Sequence, residues 1–187
     1  MKIADQRPKS IFLTGLKHSG KSTLAERLAP VLKVKYMDLD DLVEREYRSD
    51  KLLSCREIYR QHGRDFFLEL EASAAAVLAK KMKFTFAVAS LGGGTIENRP
   101  AMERLKTAGL FVYIEHDIEV LFRRIMKHGR PPFFSEEDPH KDFLDIVERR
   151  VPLLKERADI IITLKDGTVD ESLAAVTARL KEYGYAW

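Results

Sequence analysis

Between the apolar run Ile11-Phe12-Leu13-Thr14 and the amphipathic stretch from Ser22 to Leu32 lies Gly15-Leu16-Lys17-His18-Ser19-Gly20-Lys21-Ser22, which fits G-x-x-x-x-G-K-[ST] without a mismatch. A strand before it and a helix after it are the context that gives this spacing its meaning. The glycines let the backbone curl so that its N–H groups converge on an anion, and the following helix N-terminus adds partial positive charge. Lys21 then stands where the β- and γ-phosphates of a nucleoside triphosphate would lie, the Ser22 hydroxyl can ligate Mg²⁺, and Gly15, Ser19, Gly20 and Thr23 complete the phosphate contacts.

A segment of this kind needs a parallel sheet behind it, and the rest of the chain supplies one. Short apolar runs recur at Val34–Met37, Phe84–Ser90, Leu110–Ile114 and Ile160–Thr163. Amphipathic stretches separate them: Asp41–Tyr47, Cys55–His62 ending at Gly63, Asp65–Lys81, Arg99–Thr107, Ile118–Lys127, Lys141–Arg157 and Val169–Glu182. Alternation of this sort predicts an α/β fold, a five-stranded parallel sheet with helices on both faces, in one domain over residues 1–187. The segment from His128 to His140 carries three of the seven prolines and reads as a mobile lid, extending to about residue 141.

Composition narrows the partners. A net charge of +3 over 187 residues is too mild for nucleic acid as the main partner, and no apolar run approaches a membrane span. The single cysteine, Cys55, excludes an internal disulfide and, with the polar opening MKIADQRPKS, points to the cytoplasm. The expected partner is a small-molecule acceptor, and the expected state is a monomer.

Each remaining candidate follows a strand or sits in a loop, where ligands bind in such sheets. Met37-Asp38-Leu39-Asp40-Asp41 follows the second strand, and alternation along an extended segment would put Asp38 and Asp40 on one side. Phosphoryl transfer to a hydroxyl needs such carboxylates, one to orient the hydroxyl or take its proton and one near Mg²⁺; capping of the next helix is the competing role. Gly92-Gly93-Gly94 after the third strand suits close approach of backbone to a ligand, or a flexible turn. Arg130 in the lid could close over transferring phosphates, Arg123 or Arg124 could stack on a nucleobase, and each could equally be a solvated surface residue.

Taken in order, these motifs resemble the shikimate kinase family from about Ser10 to Tyr183: the phosphate loop, Asp38-Leu39-Asp40 with Glu44 beyond, the triple glycine, Arg130-Pro131, and Glu148-Arg149-Arg150-Val151-Pro152-Leu153 leading into Ala158-Asp159. The resemblance implies a P-loop kinase fold and transfer of the ATP γ-phosphate, with Mg²⁺, to a ring hydroxyl of shikimate. It implies that Asp40 holds the acceptor hydroxyls and acts as base, with Asp38 near Mg²⁺. It further implies that the triple glycine touches the acceptor through its backbone, Arg150 grips the acceptor's carboxylate, Arg130 is the lid arginine, and Arg123 or Arg124 lies near the adenine. Two positions depart from the family pattern. His18 replaces a glycine, and Leu68 replaces the arginine of F-R-x-x-E, of which Phe67 and Glu71 remain. Arg64, four residues before Leu68 on the same helix face, is the expected substitute cation, with Glu71 orienting it. A kinase of another sugar acid or polyol, and a nucleotide-binding module without catalysis, are the other readings.

Overall fold

The computed structural model describes residues 9–47, 52–131 and 133–185; the expected lead-in up to residue 8 and Pro132 of the lid lie outside them. Strands and helices alternate as β1 (Ile11–Thr14), α1 (Lys21–Val31), β2 (Lys35–Asp38), α2 (Leu39–Glu46), α3 (Cys55–Phe84), β3 (Ala87–Ser90), α4 (Arg99–Leu105), β4 (Leu110–His116), α5 (Ile118–Lys127), α6 (Pro139–Arg157), β5 (Ile160–Leu164) and α7 (Val169–Glu182), with one 3-10 turn at Thr95–Glu97. The sheet order is β2-β3-β1-β4-β5, and every pairing is parallel.

Successive side chains on a strand point to opposite faces, and here that alternation divides the core in two. Phe12, Ala87, Ala89, Phe111 and Tyr113 join Leu78, Met102, Leu121 and Phe143 on one face. Ile11, Leu13, Val88, Val112, Ile114 and Ile162 join Leu24 and Leu28 of α1 and Val176 and Leu180 of α7 on the other. Both faces of the sheet are therefore covered, which is why its three central strands, β1, β3 and β4, read as near-continuous apolar runs. Each fully buried leucine, isoleucine or phenylalanine contributes about 1.5–3 kcal/mol.

As expected, two helical segments meet at Gly63, which is non-helical at φ 81°, ψ −176° and kinks the chain within α3. Two local differences from the sequence reading have physical causes. Helix α3 continues to Phe84, so β3 begins only at Ala87. Ser10 sets this junction: its buried hydroxyl donates to the Met82 carbonyl at 3.1 Å and accepts from the Ala87 N–H at 3.2 Å. Finally, α2 starts at Leu39 because Asp38 caps it, accepting the Asp40 N–H at 2.8 Å. Asp38 and Asp40 therefore do not alternate along one extended segment. Asp38 ends a strand, and Asp40 lies in the first turn of a helix.

Register brings the chemistry to one edge. Leu13 pairs with Ser90, and Ser90 pairs with Asp38, so β1, β3 and β2 end side by side. The phosphate loop, the triple glycine and the Asp38–Asp40 segment leave the sheet from those three adjacent strand ends.

Candidate active site

The phosphate loop starts at Gly15, where an added Cβ would come within 2.8 Å of both the Ile114 carbonyl and the Ser19 hydroxyl; there is no room for a side chain. It ends at Gly20, the N-cap of α1, in the left-handed region at φ 80°. No side chain caps this helix. Its first-turn N–H groups, which have no intrahelical acceptors, are therefore available to an anion, and the cradle fits a phosphate chain. Lys21 is buried, its ammonium donating to the Leu16 carbonyl at 3.4 Å. Burial lowers the Lys21 pKa, Asp40 and Asp38 oppose that shift, and Lys17 and Arg150 add to it. Ser22 and Thr23 stand exposed on the first turn, and the Ser19 hydroxyl is buried without a hydrogen-bond partner. His18 takes φ 61° and stacks on His128 with ring centroids 4.7 Å apart. Burial, with Lys17, His128, Lys21 and Arg124 nearby, lowers its pKa to about 4.

Across from the cradle, the three glycines form a floor on which other groups converge. A Cβ on Gly92 would meet Asp40 Oδ1 at 2.8 Å, Thr95 Oγ1 at 3.0 Å and Glu71 Oε1 at 3.6 Å. One on Gly93 would meet the Lys17 backbone nitrogen at 3.1 Å, and one on Gly94 would meet Arg150 Nη2 at 3.4 Å. Asp40 is open at the rim of this pocket and walled by protein on its other sides. Burial pushes its carboxyl up to about 6, with Asp38, Glu71 and Glu44 adding to the shift and Lys21 opposing it. Asp38 is held firmly: Oδ1 takes the Asp40 N–H, and Oδ2 takes the hydroxyls of Tyr36 and Ser90.

Glu71 is buried, accepting from Thr95 Oγ1 at 2.6 Å and from Asn98 Nδ2 at 2.7 Å. Burial raises its pKa; the two hydrogen bonds and the charge of Arg150 work against that. Glu71 thus fastens the turn after the triple glycine to α3. Arg150, from α6, donates through Nε to Glu97 Oε2 at 2.7 Å and through Nη1 to the Gly93 carbonyl at 3.1 Å. Its Nη2 makes no hydrogen bond among the described residues, so both N–H groups of that nitrogen stay available to a ligand. Burial alone would raise the Glu97 carboxyl, but Arg150 and Arg149 outweigh it and lower the pKa.

Other candidates stand apart. Arg64 pairs with Asp65 at 3.9 Å with 64 % of its side chain exposed, and it does not reach Glu71. Seven residues of helix separate those two by about 10 Å along the axis. Leu68 instead walls a cavity of about 380 Å³ with Glu97, Asn98, Arg99 and Arg104. Arg130 lies within the lid, donating to the Phe134 carbonyl and to Glu136 at 2.6 Å. The lid itself is pinned by Phe134, which is buried against Phe143. Arg124 bridges the His18 carbonyl, 3.4 Å away, to Asp166 at 2.6 Å, whereas Arg123 is exposed. Sequence reasoning missed Thr95, Glu97 and Asn98. Asn98 had a visible signal, an N-cap residue two before Pro100; the other two had none.

The uncapped helix behind β1, the buried Lys21 and the carboxylate of Asp40 on one sheet edge define a P-loop kinase, and among the described residues no helix is long and apolar enough to cross a membrane. The shikimate kinase family model matches residues 17–181. A shikimate kinase of Caldanaerobacter subterraneus is 32% identical over 163 residues, covering 87% of this chain and 91% of that one. The crystal structure of shikimate kinase from Bacteroides thetaiotaomicron superposes with a TM-score of 0.76 at 30% identity, covering 92% and 98%. The same fold is seen at a TM-score of 0.83 and 24% identity in the Acinetobacter baumannii shikimate kinase in complex with shikimate, covering 96% of each chain. The chain belongs to the shikimate kinase family.

Proposed function

We propose that this chain transfers the γ-phosphoryl group of ATP to a ring hydroxyl of shikimate, giving shikimate 3-phosphate and ADP. The observation that carries the reading is the meeting of the uncapped phosphate cradle, Lys21 and Asp40 at the ends of three adjacent strands. The cradle's N–H groups and Lys21 hold the phosphates and offset charge on the transferring group. Asp40, ionised near neutral pH with a carboxyl at about 6, accepts the proton of the acceptor hydroxyl. The hydroxyl oxygen bonds to the γ-phosphorus as the bond to the bridging oxygen of ADP breaks.

The triple glycine lets the acceptor ring lie against backbone, and Arg150 Nη2 is directed at its carboxylate. Ser22 and Asp38 would hold Mg²⁺, and the ion would supply further neutralisation of phosphate charge. Arg130 would have to leave Phe134 and Glu136 to reach the phosphates, and Arg124, with Arg123 beside it, would edge the adenine. The same reading has the enzyme acting as a cytoplasmic monomer.

A second reading, a kinase of a sugar acid or polyol, draws on Leu68 and on Glu97, which occupies Arg150. An assay of ADP release with shikimate, gluconate or no acceptor separates the two. Shikimate-dependent turnover that disappears in Lys21→Ala is expected, by at least about a thousandfold. Turnover with gluconate alone, or turnover unchanged in Lys21→Ala, refutes the reading.

A further inference from the structure

Two cations at the acceptor side of the phosphate loop have no assigned work. Lys17 is the third residue of the loop, and its backbone nitrogen lies against Gly93, the glycine whose carbonyl Arg150 holds. Arg56 is in the first turn of α3, beside Cys55, whose thiol donates to the Asp40 carbonyl at 3.5 Å and whose N–H donates to Glu44 at 2.9 Å. Among the described residues neither Lys17 nor Arg56 has a salt-bridge partner. The carboxylates around them are otherwise engaged: Asp38 by Tyr36, Ser90 and the α2 N-terminus, Glu44 by Cys55, Glu71 by Thr95 and Asn98, and Glu57 by Ser54. Asp40 faces Gly92 and Lys21.

Like charges held close are an electrostatic cost, which Asp40 offsets only in part and which an anion between them would remove. The two do feel each other: burial first and then Arg56 lower the Lys17 pKa, with Asp40 opposing. Arg150, across the pocket, is already paired with Glu97, and Leu68 offers no charge. Resting on the shikimate reading above, we propose that Lys17, supported by Arg56, is the second cationic arm of the acceptor pocket and binds the acceptor's carboxylate together with the free Nη2 of Arg150. The arm comes from the phosphate loop, so the acceptor would be gripped between the triple-glycine floor and the nucleotide's own cradle.

The test uses Lys17→Met and Arg56→Ala in the full chain, with steady-state kinetics for shikimate, its methyl ester and ATP, and calorimetry of shikimate binding in the presence of ADP. Lys17→Met is expected to raise the KM and Kd for shikimate about tenfold, with kcat and the KM for ATP within about threefold. The exposed Arg56 should matter less, about threefold. The methyl ester, which lacks the charge, should bind wild type weakly and be indifferent to both substitutions. A rise in the KM for ATP equal to that for shikimate would place Lys17 on the nucleotide and overturn the arm, as would equal losses with acid and ester. Shikimate that binds in a Lys17-dependent way without being phosphorylated would sink the reaction and leave the arm standing. Absence of both binding and turnover in wild type would overturn both.

Discussion

Replacing Gly92 with alanine tests the site at its tightest point. The new Cβ would lie 2.8 Å from Asp40 Oδ1 and 3.0 Å from Thr95 Oγ1, where ordinary contact begins at 3.4 Å. Thr95 is pinned to Glu71 at 2.6 Å and has nowhere to go, so the strain falls on the Asp40 carboxylate, which must retreat by about 0.6 Å. A displacement of 1 Å in a reacting group costs about a hundredfold in rate. A kcat loss of tenfold to a hundredfold is therefore expected, or about 1.4–2.7 kcal/mol of barrier. The backbone at Gly92 is not in the left-handed region, so folding should survive, with Tm within a few degrees. Gly93→Ala presses on the Lys17 backbone nitrogen at 3.1 Å, which cannot yield, and should impair ATP use as well. Gly94→Ala meets only the flexible tip of Arg150 at 3.4 Å and should cost less than about threefold. A coupled assay of ADP release over a range of both substrates reads all three. Gly92→Ala with kcat within twofold of wild type, or Gly94→Ala as the most damaged variant, refutes the placement of Asp40 against that glycine.

Glu97→Gln removes the charge that occupies Arg150, whose side chain is only 20% exposed; the KM for shikimate should fall about threefold to tenfold while the KM for ATP holds, and a rise would mean that Glu97 positions Arg150 rather than competing for it. The lid should resist proteolysis once nucleotide is bound: chymotrypsin cleavage after the exposed Phe133 should slow by about fivefold or more with a non-hydrolysable ATP analogue and Mg²⁺, and equal cutting in both states would count against closure.

The nucleotide half of the site was legible because it is local. Eight contiguous residues specify the loop, the flanking strand and helix follow from their own periodicity, and neither needs a distant partner to be recognised. The sheet was legible for a similar reason: strands buried on both faces announce themselves as apolar runs. The acceptor half was only partly legible. Helical phase put Arg64, Leu68 and Glu71 on one face, but phase says nothing about distance along the axis, and two turns separate Arg64 from Glu71. Alternation misread Asp38 and Asp40 because a capping carboxylate ends a strand and starts a helix in one step, so that the period changes between them. Glu97 looked like one more charged residue, and only the approach of α6 to the 3-10 turn gives it Arg149 and Arg150 as partners.

That contrast bears on how the two halves can vary. The cradle binds through backbone N–H groups and a helix end, so a change of side chain such as His18 is absorbed by stacking on His128 without touching the donors. The acceptor pocket binds through side chains drawn from α2, α3, the glycine turn and α6, where each charge acts on the others: Asp40 feels Asp38, Glu71, Glu44 and Lys21, and Lys21 feels Lys17 and Arg150. Loss of one cation, as at Leu68, therefore changes more than one contact. A cation elsewhere in the pocket can restore the grip on an anionic acceptor, and the proposed arm would do so from the phosphate loop: Lys17 feels both Arg56 and Asp40, and its backbone nitrogen lies against the glycine whose carbonyl Arg150 holds.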